Sequence, residues 1–306
     1  MGAQLRVYRR RIRSTKSMAK ITRAMELIAA TRITRAQRAA EAAGPYAREI
    51  TRAVSALAGR VTDHPLLSEA ENPKRAAVLV ITSDKGLAGA FTANVLKEAD
   101  SLTQLLKEQG KEVLTYVVGR KGGAFYKFRE RPLEEQWDGI TERPTYANAQ
   151  EIGSTLMEKF TQDTEEGGVD EIHVVSTEFV SMLTQRAVSV RVLPLEIEEV
   201  GEEELQEAHG GQALPLYEFE PSAEEVLDQL LPQYVVNRIY FSLLESAASQ
   251  QASRRAAMKA ATDNAEELAK NLTRLANQAR QAEITNEISE IVGGADALAG
   301  ASAGSE

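Results

Sequence analysis

From residue 258 onward, small or apolar residues fall at Met258, Ala261, Ala265, Leu268, Leu272, Leu275, Ala279 and Ala282. The steps alternate three and four, the period of two helices wound left-handedly about each other. Neither Pro nor Gly interrupts residues 233–292, so the pattern predicts a helix of about 60 residues, roughly 90 Å long. That length suits a shaft or spacer, although a dimerising coiled coil or a bundle helix has the same period. The seam then changes face. Its register gives the polar Asn286 and Ser289 beyond Ala282, where the apolar residues move to Ile284, Ile288 and Ile291. It also gives Gln251 and Arg254 in the polar run before Met258. A helix zipped to one partner has no reason to change face twice, so this one is expected to present different faces to different neighbours.

Residues 3–58 are rich in Arg, Ala, Met and Glu and are predicted to be helical. Met18, Ile21, Met25 and Ile28 form a short apolar stripe, and Arg6, Arg10 and Arg13 lie along one side as a solvated face would. Gly44-Pro45 would end or kink a helix at Ala43, which allows two helices as well as one. After a linker over 63–73, the continuous apolar run 76–82 ends in Ser-Asp-Lys-Gly, as a buried parallel strand entering a turn does. Helices are predicted over 90–109, 124–129 and 150–161. Strands are predicted over 113–118, 171–179 and 187–195, the last two joined by a hairpin. Strands alternating with helices imply a small α/β sheet. Ser222, with Glu225 three residues on, caps a short helix to Leu231, and Pro232 marks a kink or a new start. The nearest partner for the C-terminal seam is the N-terminal helix, lying antiparallel because the middle domain returns the chain.

Composition narrows the chemistry. The chain has no cysteine, which rules out disulfides, thiol catalysis and thiolate metal sites. His64, His173 and His209 are scattered, so no metal cluster is expected. No apolar run reaches the length a membrane span needs. The arginine-rich start has no apolar segment of the secretory kind and reads as mature protein. The net charge of -9 hides an asymmetry: residues 1–60 carry +11 and the rest -20. A basic arm on an acidic body asks for an anionic partner, either nucleic acid or acidic protein loops. Residues 196–207 hold seven glutamates without a Lys or Arg, which suggests a solvated loop.

Four separated blocks carry a resemblance. Residues 284–297, ITNEISEIVGGADA, are similar to the C-terminal signature of the gamma subunit of F-type ATP synthases, with Thr285, Glu287, Glu290, Gly294 and Ala295 at the signature spacings. The segments AAMKAATDNA at 256–265, KITRAMELIAA at 20–30 and TSDKGLAG at 82–89 resemble the same family, in the same order. The resemblance implies an α/β fold class: a long antiparallel two-helix coiled coil of the N- and C-terminal helices, with a small Rossmann-like domain inserted. The implied domains are 1–60, 74–210 and 222–298, and the N-terminal helix is implied to continue through Gly44-Pro45.

It also implies a central rotor stalk that binds no nucleotide and breaks no bond, in a proton-driven complex peripheral to the cytoplasmic side of the cell membrane. The implied partners are a ring of three α and three β subunits, an epsilon subunit and the membrane c ring. Gln281, Thr285, Glu287 and Arg254 would meet a β-subunit loop. Lys20, Arg23 and Met25 would face acidic β loops. Tyr217 and Glu220 would lie at the foot, against epsilon and the rotor ring. No cofactor, metal or cysteine-based regulation is implied.

The residues themselves leave two rivals, of which one is an α/β enzyme with helical extensions. The Asp84–Gly89 turn matches neither the dinucleotide nor the phosphate-loop pattern, and neither do residues 119–123, so glycines for tight turns are the simpler reading. Asp84 and Lys85 lack a positioned base or oxyanion group. A nucleic-acid-binding or scaffold coiled coil using the basic arm is the other rival, with only Tyr8 and Tyr46 available there for stacking on bases.

Overall fold

The computed structural model describes residues 2–58, 72–195, 220 and 222–303. Tyr217 and the acidic stretch 196–211 lie outside the described residues, as does the 63–71 part of the linker. The elements run α1 (Gly2–Ala58), β1 (Arg75–Ile81), α2 (Phe91–Glu108), β2 (Glu112–Val118), α3 (Arg120–Phe128), β3 (Glu135–Trp137), α4 (Tyr146–Thr161), β4 (Glu171–Phe179), β5 (Gln185–Leu193) and α5 (Ala223–Ala303). The chain divides into two compact units: residues 1–28 with 255–306, and residues 29–254.

The larger unit is built on one sheet in the order β3-β2-β1-β4-β5. Its first four strands are parallel, and β5 closes the β4 edge as an antiparallel hairpin. Burial of the central strand on both faces explains its continuous apolar run. Ala76, Val78 and Val80 face Val95, Ala99 and Leu102 of α2 and Tyr126 of α3. Ala77, Leu79 and Ile81 face Ile152 and Leu156 of α4, with Val54 and Leu57 of α1 and Leu227, Leu231, Val235 and Ile239 of α5. The two terminal helices thus complete the second face of the sheet. Arg32 and Arg254 both bind Glu142, while Tyr46 Oη donates to Gln233 Oε1 at 3.0 Å, so α1 and α5 run antiparallel here.

Two prolines that local rules mark as a kink or a helix boundary sit inside continuous helices: Pro45 in α1, as the resemblance implies, and Pro232 in α5. Each removes one backbone hydrogen bond, at about 3 kcal/mol. Around Pro232 the loss is offset by the full burial of Leu227, Leu231, Val235 and Ile239, at roughly 2 kcal/mol each. The expected short helix ending at Leu231 is therefore the first part of an 81-residue helix. Its start is as expected: Ser222 Oγ accepts from the amide of Glu225 at 3.2 Å. The three-residue β3 escapes sequence reading because it is too short for a period to show.

In the smaller unit the seam differs by one residue at every second position. Met258, Ala265 and Leu272 are buried as expected, but their companions are Thr262, Ala269 and Ala276, not Ala261, Leu268 and Leu275. Leu268 stays 52% exposed. On α1 the buried residues are Ala19 and Thr22, while Met18 and Ile21 of the expected stripe are 54% and 56% exposed. The reason is size. Small residues on both helices allow close approach, and the hydroxyls of Thr22 and Thr262 meet at 2.6 Å, which leucine and methionine side chains would prevent. Thr22 Oγ1 also lies 3.1 Å from the carbonyls of Met18 and Ala19, and Thr262 Oγ1 2.9 Å from that of Met258, so one hydroxyl donates across the pair and the other to its own helix.

Candidate functional site

The turn after β1 is organised by one carboxylate. Asp84 Oδ1 accepts from the amides of Gly139 (2.8 Å) and Arg120 (3.2 Å), and Oδ2 accepts from the amide (3.0 Å) and hydroxyl (2.9 Å) of Thr141. Burial works against its charge, but these donors outweigh burial and hold the carboxyl below its ordinary 3.8. Both oxygens are filled by the chain itself, so Asp84 ties three loops together at the strand ends. Gly119 supports the same corner: its φ is +101° and an added Cβ would lie 2.8 Å from Thr82 Oγ1. Gly122 would bring a Cβ within 2.7 Å of Val117 and Thr82, which confirms glycine as a packing requirement between α3 and the sheet.

Beside this turn lies a cluster that sequence reading missed. Glu142 Oε2 takes Arg32 Nη1 of α1 at 2.8 Å and Lys85 Nζ at 2.7 Å, and Oε1 takes Arg254 Nη1 of α5 at 3.2 Å. Burial opposes the charge of Glu142, yet the Lys85 hydrogen bond and the nearby Arg32 and Arg254 charges keep its carboxyl below the usual 4.5. Arg254 Nη2 also reaches the carbonyls of Lys85 (3.3 Å) and Gly86 (3.5 Å). Within the chain, then, Arg254 has partners of its own. The polar gap in the seam is a buried joint, and Arg254, only 5% exposed, spends its donors inside the chain. No pattern in the Thr-Glu-Arg-Pro segment of residues 141–144 announces Glu142; only the fold brings its three cations to it.

The other candidate positions belong to the smaller unit. Lys20 is exposed, Met25 is half-buried, and Arg23 lies 3.6 Å from Glu266 with both side chains largely in solvent. Gln281, Thr285 and Glu287 are exposed, and the Thr285 hydroxyl is turned onto the Gln281 carbonyl at 2.9 Å. Around them α5 carries Ile284, Ile288, Ile291 and Val292, all largely exposed, and α1 carries Val7, Met18, Ile21, Leu27 and Ile28 in the same condition. From residue 284 to 295 every described side chain of α5 is exposed. A helix that displays isoleucines without covering them has the surface of a part awaiting a partner. Glu220 is exposed.

Among the described residues no three potential ligands gather to hold a metal. No described helix is long and apolar enough to cross a membrane.

Comparison with known proteins decides the family. A family model described as ATP synthase matches residues 4–298. The ATP synthase gamma chain of Thermobifida fusca is 80% identical over the full length of both chains, and that of Streptomyces coelicolor is 60% identical over the same extent. The chain belongs to the ATP synthase gamma family. Solved structures agree on the fold alone. A chain of the Euglena gracilis mitochondrial ATP synthase, from a structure of its OSCP, F1 and c-ring, matches with a TM-score of 0.64 at 16% identity, covering 97% of this chain and 95% of that one. A chain of the Euglena rotor matches at 0.62 and 13% identity, covering 93% and 100%. Across this gamma family fold, the buried Asp84 corner and the Glu142 cluster belong to the larger unit, and the uncovered apolar faces belong to the smaller one.

Proposed function

We infer that the chain is the central rotor stalk subunit of the F1 sector of a proton-translocating ATP synthase. The carrying observation is the uncovered surface of the smaller unit. Isoleucines over 284–292 and apolar residues of α1 stand exposed beside a run of arginines, on a chain 80% identical to a gamma chain. That surface suits enclosure by a collar of α and β subunits whose acidic loops meet Lys20, Arg23 and the neighbouring arginines. Gln281, Thr285 and Glu287 offer the collar polar groups that can make and break bonds as the stalk turns. Long-lived anchoring would stop rotation, so scattered polar contacts on a stiff helix pair fit the task better than a large apolar plug would.

In this reading the chain is non-catalytic. The α/β domain, with Glu220 and Tyr217 near the start of α5, meets the epsilon subunit and the membrane c ring on the cytoplasmic face. Ion flow turns the domain and helices together, and the asymmetric helix pair drives the three catalytic sites of the collar through successive shapes. Co-expression with the genomic neighbours, followed by purification through a tag on this chain, tests the reading. Recovery of α, β and epsilon subunits is the expected outcome. Recovery of the chain alone, or with nucleic acid that survives at low salt and is lost as salt rises, would contradict it.

A further inference from the structure

The larger unit holds α5 by two kinds of contact. Between Leu227 and Leu243 the helix is anchored by buried apolar side chains that join the core of the sheet. From Ser246 to Arg254 it is held by polar groups. Ser246 Oγ accepts from the amide of Thr177 at 3.1 Å, Ser249 Oγ donates to the carbonyl of Thr177 at 3.3 Å, and Ser253 Oγ donates to Gln185 Oε1 at 2.9 Å. Arg254 ends the series at Glu142. Among these contacts Gln250 and Gln251 are 0% and 1% exposed, and among the described residues neither amide has a hydrogen-bond partner at its oxygen or its nitrogen. A buried amide without partners is costly. A segment carrying two of them has a reason to take up another seating in which they are satisfied.

We propose that Glu142 is a positioning residue, a releasable clasp that fixes how α1 and α5 are seated on the α/β domain and so sets the torsional stiffness of that joint. This deepens the rotor reading and rests on it, because stiffness of a joint matters to function only in a part that transmits torque. The geometry carries the argument. One carboxylate joins both helices, through Arg32 and Arg254, to the turn after β1, through Lys85. Apolar packing resists sliding through shape; an ion pair at the edge of solvent can be exchanged for water. Glu142 keeps 15% of its side chain exposed, while Arg254 keeps 6%. Among the described residues the cluster also has three cations for one anion. Neutralising Glu142 therefore turns a net attraction into mutual repulsion of Arg32, Lys85 and Arg254, beside two buried amides that little holds in place.

The test compares Glu142→Gln and Glu142→Asp. In the free full-length chain, backbone hydrogen exchange over residues 250–256 should quicken about tenfold in Glu142→Gln, the effect of losing one charge-assisted contact. Amides of β1 and β4 should keep their wild-type rates, and Glu142→Asp should restore most of the protection. In the assembled complex, with the ring immobilised and a bead on α2, the angular variance during catalytic pauses should widen about twofold for Glu142→Gln, as for a softened torsional spring. Unchanged exchange at 250–256, acceleration spread evenly through the sheet, or an unchanged variance would each overturn the clasp. Failure of the wild-type chain to assemble with a ring would overturn the rotor reading instead, and the exchange result would still decide the role of Glu142.

Discussion

Replacing Glu171 with Gln tests whether buried charge has been assigned correctly in the α/β domain. Glu171 starts β4 with 6% of its side chain exposed, between Lys111 Nζ at 2.6 Å and His173 Nε2 at 3.0 Å. Arg191 stands across the hairpin from His173. Burial alone would raise the carboxyl, but the hydrogen bonds from His173 and Lys111 and their charges bring it down from 4.5 to about 2. Because the folded value is depressed, the stabilisation is complete at pH values above 4.5 and is lost as pH falls towards 2. A drop from 4.5 to about 2 amounts to about 3 kcal/mol at pH 7. It falls to about 2 kcal/mol at pH 3.5, where the unfolded carboxyl is already mostly protonated. The substitution should cost similar amounts, since it leaves Lys111 nearly buried without its counter-charge. The assay is urea unfolding followed by tryptophan fluorescence. The chain has one tryptophan, Trp137, which is buried in this domain and stacked 6.4 Å from Tyr116, so the signal reports this unit. A gap between wild type and Glu171→Gln that stays constant from pH 7 to pH 3.5, or is absent at pH 7, would refute the reasoning.

Asp84→Asn should lower the same fluorescence-detected stability by about 2 kcal/mol, because an amide nitrogen would confront the Gly139, Thr141 or Arg120 donors; an unchanged urea midpoint would show that the corner does not depend on the charge. Thr22→Val and Thr262→Val should each cost about 1 kcal/mol in the helix pair, and the double variant less than their sum, because the second change removes a hydroxyl that has already lost its partner across the pair. Helix unfolding by circular dichroism reads this, and strict additivity would count against the 2.6 Å contact. Thr285→Val and Glu287→Ala should leave the fold intact, since both residues are exposed. Each should slow turnover of the assembled complex about fivefold, the worth of one hydrogen bond. Full-speed turnover by both would remove these residues from the proposed ring contact.

The elements most legible in the sequence are those whose burial is one-sided or total over many residues. β1 is buried on both faces from Ala76 to Ile81, and it reads as an uninterrupted apolar run. The length of α5 is legible from the absence of breakers, but its extension through Pro232 is not, because packing of Leu227 and Leu231 overrides the local penalty of proline. The seam was half legible. Methionine and leucine attract the eye, whereas the buried line uses Thr262, Ala269 and Ala276, which only the close approach of a second helix of small residues favours. The apolar stripe of α1 is legible as a stripe, but the sequence does not tell that Met18, Ile21 and Ile28 stay exposed. Glu142 was illegible. A loop glutamate becomes notable only when Arg32 and Arg254, from opposite ends of the chain, converge on it.

The most direct test of the rotor account uses the absence of native cysteine. A single Ser101→Cys on the exposed side of α2 gives one attachment point for a bead. With the complex fixed to a surface through its β subunits and supplied with ATP, the account predicts continuous rotation in one direction with three pauses per turn. A bead that only fluctuates about a fixed angle while the complex hydrolyses ATP would contradict it.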